Sequence, residues 1–364
     1  MMQASRSKVA ATAVFQRLIA TDVVRQHAEL VAFLWGQRDT LLSEDPADLK
    51  VVEGIDRRLH VNLDAMRIAG KAVWPFLLEQ YEAFPEKGEL FAFTWMALEL
   101  KDRERMAQSV QFGQASKDDA SGFVGALAWR RPEDIGPLVR EWIAGQDGFK
   151  RHLAVSACAE HGVDPKQLLG RLVRDPDAKA RASSLRLAGK LGRADLVGEM
   201  QGGLDADDEK VRLWAAWALT ELGSGHLART ELRKVAVGGA PEALTALRAA
   251  LKAGPDKEVR AWLGGLMKTP ISAHLAVRGV GMLGDRSALA WLIEQMRVPM
   301  LATSALAAFL ELFPEAHRED DLFTRDLGEA GQPFVDYFGD ESVVIPLVDK
   351  IEGWAKSKGA LSGV

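Results

Sequence analysis

Apolar residues recur along most of the chain at steps of three and four, the spacing that gathers them on one face of an α-helix. Val23, His27, Leu30, Val31 and Leu34 mark a first long helix that ends near Ser43, ahead of Pro46. Val52, Ile55, Leu59, Leu63 and Met66 mark a second that runs to Pro75, where a backbone donor is missing. Alternating β-branched runs, which would predict strands, are scarce.

Beyond these two helices the pattern becomes periodic. Apolar helices close on glycines 162, 192, 223, 254 and 284, at steps of 30, 31, 31 and 30. Two of them read Ala182-Ser-Ser-Leu-Arg-Leu-Ala-Gly-Lys-Leu-Gly192 and Leu213-Trp-Ala-Ala-Trp-Ala-Leu-Thr-Glu-Leu-Gly223. Glycine accepts the left-handed conformation that stops a helix. Asp164, Asp195, Asp256 and Asp285 follow shortly, each placed to cap a next helix. A second apolar helix then comes, as in Leu168-Leu-Gly-Arg-Leu-Val173 and Leu289-Ala-Trp-Leu-Ile293. One period is helix, turn, helix, turn, and stacked units of this kind bury one another's apolar faces. The same step carries the array over 85–314. Residues 1–84 are then an N-terminal helical cap, and 315–364 an acidic C-terminal tail.

Asp147, Asp177 and Asp208 stand fifteen residues before a closing glycine, and Arg151, Arg181 and Arg212 stand eleven before it. An aspartate capping the first helix and an arginine one turn on can pair with each other and with the next unit, so this ladder reads as structural. In this respect the chain resembles the HEAT-like repeats of the phycobilin-lyase type, whose first helices carry the same Asp and Arg. Gly239 and Ala243 take the two places in a later unit, a departure from that pattern. The expected fold class is all-α: an α-solenoid of HEAT-like helical hairpins behind an N-terminal helical cap.

A second resemblance lies nearer the start. His27-Ala-Glu-Leu-Val-Ala-Phe-Leu-Trp35, Ile55-Asp-Arg-Arg-Leu59 and Leu63-Asp-Ala-Met-Arg-Ile-Ala-Gly70 look like an uncharacterised proteobacterial family of HEAT-repeat proteins, often encoded beside type VI secretion components. The likeness is best over 25–100 and looser beyond. It implies a context, a secretion component or effector as partner, and assigns no catalytic residue.

Charge and composition narrow the function classes. The net charge of −5 divides into −1 over residues 1–84, +3 over 85–310 and −7 over 311–364. A nucleic-acid-binding body should be clearly basic, and this one is close to neutral. Cys158 is the only cysteine, which excludes an intrachain disulfide and a cysteine metal cage. Residues 1–20 hold no apolar stretch long enough for a signal peptide, and nothing approaches the ~20 apolar residues of a membrane span. A cytoplasmic protein without membrane insertion is expected.

The chemistry-bearing motifs are equally sparse. None of the seven histidines has a partner at helical metal-ligand spacing. Gly279, Gly281 and Gly284 fit a dinucleotide-loop spacing but follow no strand, so they read as the close of a repeat helix. No enzyme, cofactor or metal is expected. The place six before each closing glycine reads Ser156, Arg186, Trp217, Arg248 and Arg278. Arginine and tryptophan are frequent interface anchors. Arg186, Trp217, Arg248 and Arg278, with Trp291 off the core stripe of its helix, are therefore the candidate partner-binding residues, set against a plain solvated ridge. The acidic tail reads either as solvated or as an arm docked on this row. The function expected is a protein-binding scaffold or adaptor, an accessory of type VI secretion. The alternatives are a HEAT-like nucleic-acid binder or DNA glycosylase, and a chromophore-lyase-like HEAT protein.

Overall fold

The computed structural model describes residues 20–117, 120–254, 256–319 and 321–361. The expectations placed on residues 1–19, namely the start of the cap and the missing leader, lie outside them. Two compact units divide the chain: residues 1–42 with 50–163, and residues 164–364 with the short segment Ser43–Leu49. The division falls inside the 85–314 array, between the two helices of one hairpin.

In the first unit, α1 (Thr21–Ser43) and α2 (Leu49–Ala69) are the two long helices. The buried stripe of α1 is Val24, Ala28, Val31 and Trp35, so Val23, one residue off it, faces solvent. Short α3 (Trp74–Ala83) begins with Pro75 in its first turn, where the missing donor costs nothing. Then come the hairpins: α4 (Lys87–Glu99), α5 (Arg103–Ala115), α6 (Ser121–Ala128), α7 (Pro132–Ala144) and α8 (Gly148–His161). Helices α4, α6 and α8 pack in succession. Helix α4 is buried nearly all round, and its rings fill the space between layers. Phe91 stacks on Trp35 at 4.7 Å, and Phe93 lies 5.2 Å from both Trp74 and Phe112.

In the second unit the hairpins continue as α9 (Gln167–Leu172), α10 (Ala178–Lys190), α11 (Val197–Gly203), α12 (Glu209–Glu221), α13 (Arg229–Val237), α14 (Ala243–Lys252), α15 (Asp256–Leu266), α16 (Pro270–Met282), α17 (Leu289–Met296) and α18 (Pro299–Leu312). The first helices α10, α12, α14, α16 and α18 stack in that order, each with a second helix beside it. The fold is all-α, an array of stacked helical hairpins. Four closing glycines take the left-handed conformation, Gly162 at φ 64°, Gly192 at 66°, Gly223 at 78° and Gly284 at 76°. Gly254 does not, because Pro255 follows it and disfavours helical conformations in the residue before.

The ladder works differently from the expected Asp–Arg pairing. Asp147, Asp177 and Asp208 each accept the backbone N–H three residues on, which makes them N-caps of α8, α10 and α12. Arg151 donates to the Gly145 carbonyl at 3.1 Å, and Arg212 to those of Ala206 and Asp207 at 2.7 and 2.8 Å. These arginines thus tie each first helix to the turn before it, where carbonyls lack helical partners. Arg212 also pairs with Glu231 on α13 at 3.0 Å, while the Arg181 Nε is buried without a partner. In α16 and α18 the aspartate cap is replaced by Pro270 and Pro299 at the first helical turn.

The segment expected to be an acidic tail folds onto the last hairpin. Strands β1 (Phe323–Thr324) and β2 (Ile345–Pro346) pair antiparallel, and α19 (Leu327–Ala330), α20 (Gln332–Phe338) and α21 (Val348–Ser357) surround them. Leu322, Val344, Ile351 and Trp354 join the core of α17 and α18. Trp354 meets Phe309 and Phe313 edge-on at 5.4 and 5.8 Å. Apolar burial seats this segment, and the Arg297–Glu352 pair at 3.0 Å ties α21 to the residue after α17.

Candidate functional site

Residues at one place in successive repeats fall on one face of the stacked first helices, so Arg186, Trp217, Arg248 and Arg278 lie in a line on α10, α12, α14 and α16. Their surroundings differ along it. Arg186 is exposed, and its guanidinium sits 5.0 Å over the Trp214 ring. Trp214 meets Trp217 edge-on at 5.7 Å, and Trp217 leans over Gly189, where a Cβ would lie 2.8 Å from its ring. At this end the row is a half-exposed aromatic step with a cation above it, the composition that carries binding energy when a partner excludes water.

Carboxylates occupy the other end. Glu311 of α18 accepts a two-pronged bond from Arg248, the longer arm at 3.0 Å. It also accepts from Arg278 at 2.5 Å. Arg278 in turn donates its Nε to Asp45 at 2.5 Å. Its side chain is only 9% exposed, so Arg278 departs from the expected solvent-facing row because Glu311 and Asp45 enclose it. Burial alone would raise the Glu311 pKa, but the hydrogen bonds and charges of Arg248 and Arg278 outweigh it and hold the carboxyl below its usual range. The Arg248 side chain remains 45% exposed. Trp291 on α17 is 38% exposed, off the core as its helical position requires.

The acid on this row therefore comes from α18 and from the segment Ser43–Leu49. That segment makes further pairs in the same unit: Glu44 accepts from Arg325 at 2.8 Å, and Asp48 lies 3.9 Å from the same guanidinium. Pro46 between them is buried. His317 is half-buried nearby; burial lowers its pKa and the Asp48 charge partly restores it. Sequence reasoning missed Glu44, Asp45, Asp48 and Glu311 as members of this cluster. For Glu44, Asp45 and Asp48 the only signal was the density of carboxylates around Pro46, and Glu311 gave none.

The first unit has its own cleft, of about 370 Å³, between α2, α4 and the start of α7. Glu99 accepts from Arg67 at 3.0 Å and from Arg130, and both guanidiniums lie over Trp95 at 5.7 and 5.5 Å. Asp64 and Asp134 pair with Arg67 and Arg131. The charges cancel within the cleft, so it serves to cross-link the hairpins. Among the described residues no cluster of His, Cys, Asp and Glu could hold a metal ion. No helix among them is long and apolar enough to cross a membrane.

A family model of HEAT repeats matches residues 165–267, the span from α9 through α15. No curated protein and no solved structure matches the chain. Stacked hairpins, left-handed glycine stops at one pitch and this match agree: the chain is a HEAT-like helical-repeat protein.

Proposed function

We propose that this chain is a non-catalytic protein-binding scaffold or adaptor, and that it acts in the bacterial cytoplasm as a chaperone-like accessory of type VI secretion. The observation that carries the binding role is the row on consecutive first helices. It offers an exposed arginine, two half-exposed indoles and a half-exposed second arginine in register, on a rigid stack. Such arrays present long surfaces to macromolecules. The secretion context rests on the resemblance over residues 25–100.

The test is affinity capture from a bacterium that encodes type VI secretion, using the full chain and its Arg186→Ala/Trp217→Ala/Arg248→Ala variant. A secretion component or effector should be held at least about tenfold less by the variant, the loss expected from two or three weakened anchors. Circular dichroism shows whether the variant stays folded. Equal recovery of every captured protein by both chains would reject the row as the binding surface.

A further inference from the structure

The segment Ser43–Leu49 is unusual in what it brings to the second unit. It reads Ser43-Glu-Asp-Pro-Ala-Asp-Leu49, with three carboxylates around one proline. Each carboxylate meets an arginine: Asp45 on Arg278 at 2.5 Å, Glu44 on Arg325 at 2.8 Å and Asp48 beside Arg325 at 3.9 Å. Glu311 belongs to the helical stack, whereas Asp45 arrives on a loop more than two hundred residues away in sequence. Arg278 thus already pairs with a carboxylate from an acidic loop lying on the row.

We propose that the arginine row with Arg325 is a receptor for an acidic peptide segment, that Ser43–Leu49 fills its Arg278 end as an internal ligand, and that a partner segment of the same chemistry, carboxylates flanking a proline, displaces it. This rests on the protein-binding reading and names the chemistry of the partner. The guanidinium fork suits such a ligand because it takes a carboxylate with two parallel bonds, as Arg248 does with Glu311. The Arg325 side chain is 31% exposed, so solvent screens its pairs with Glu44 and Asp48 and each contributes little. The Asp45–Arg278 pair, in contrast, is largely buried and has to be replaced by a carboxylate in kind. A partner segment supplies that carboxylate to Arg278, replaces the weaker Arg325 pairs, and gains Arg248, Trp217 and Arg186 along the same line. The tethered loop is a competitor at an effective concentration on the order of millimolar, so a free peptide must outcompete it.

The experiment uses the full chain, wild type and Glu44→Gln/Asp45→Asn/Asp48→Asn, and a fluorescein-labelled peptide of the sequence 43–49. By anisotropy at low salt, the neutralised chain should bind the peptide at least about tenfold more tightly than wild type, because the internal competitor is lost. Adding Arg325→Ala, at a partly exposed position, should weaken that binding by about tenfold, and a Gln/Asn version of the peptide should not bind. Equal binding by wild-type and neutralised chains, or binding of the uncharged peptide, overturns the proposal. Hydrogen exchange gives a reading without any substitution. Amides of 43–49 in the wild-type chain should exchange faster in excess peptide, and unchanged exchange at saturation also overturns it. A partner lost on the Arg186/Trp217/Arg248 variant while the peptide fails to bind sinks only the acidic-segment inference. Peptide binding without any row-dependent partner sinks only the adaptor reading.

Discussion

The hairpins of the first unit add ring stacking to a close backbone packing that both units share. In the first, rings fill the gaps between layers: Trp35 on Phe91, Tyr81 on Phe112 at 3.9 Å, Phe123 on Trp142 at 5.9 Å. Close backbone approach is common to both: in the first, a Cβ on Gly122 would lie 2.0 Å from the Lys87 carbonyl oxygen, and in the second small residues likewise separate successive first helices. A Cβ on Gly189 would lie 2.7 Å from the Ala218 backbone, and one on Gly281 would lie 2.5 Å from that of Ala308. Close contact of bare backbones allows one spacing and repeats it. Ring packing is solved differently in each layer.

The comparison can be broken most forcefully at Trp35. Trp35→Ala empties a site that is 3% exposed and should cost about 3–5 kcal/mol. Peptide-resolved hydrogen exchange should show the lost protection concentrated in α1, α4 and α6. A uniform loss over the whole chain would mean the rings do not organise that unit in particular. Gly281→Ala should come next, at about 2–3 kcal/mol, because the added methyl strikes the α18 backbone rather than a movable side chain. Its signature is faster exchange in α16 and α18, and a variant as stable as wild type would show that the tight spacing has slack.

A third test concerns the charges between those same helices. Glu311→Gln should cost about 1–2 kcal/mol at neutral pH, since it strips Arg278 of one of its two carboxylates while the other remains. The Glu311 pKa is lowered in the folded state, so its contribution is complete above the usual carboxylate range, about pH 4.3, and is lost as pH falls through the depressed value. The difference in denaturation midpoint between wild type and Glu311→Gln should therefore shrink below that range. His317, also lowered by burial, weakens both chains alike as pH falls below about 6.5, so it does not enter the difference. A difference that stays constant into acid would show the pairing to be weak. The smallest effect is expected for Asp208→Ala, about 1 kcal/mol for one lost N-cap, detectable as a lower urea midpoint. No change there would mean water caps α12 as well as the aspartate does.

The sequence carried the hairpins, their pitch, the first-helix caps Asp147, Asp177 and Asp208 and the exposure of Trp291, because each depends on residues within one or two helical turns. Of the expected second-helix caps Asp285 forms, while Asp164, Asp195 and Asp256 do not take the N-cap position. It did not carry the fold of residues 315–361. The core residues of that segment, among them Leu322, Phe334, Val344 and Trp354, are spread among glycines, prolines and carboxylates with no helical or strand period. Its charge dominated the reading, while its burial depends on the apolar surface left open by α17 and α18. The burial of Arg278 was hidden for a related reason. Its carboxylates stand at 45 and 311, and pairing across 233 residues leaves no mark on local pattern. Along the row, residues in equivalent repeat positions were correctly aligned but not equivalently solvated. Equal register fixes direction, and neighbours decide exposure.

The packing of Trp354 against Phe309 and Phe313 has a consequence for how such an array could lengthen. Tandem duplication adds a unit wherever the flanking faces match. The aromatic plug beyond Phe309 matches no hairpin. Insertions that preserve this end of the molecule must therefore enter upstream of it.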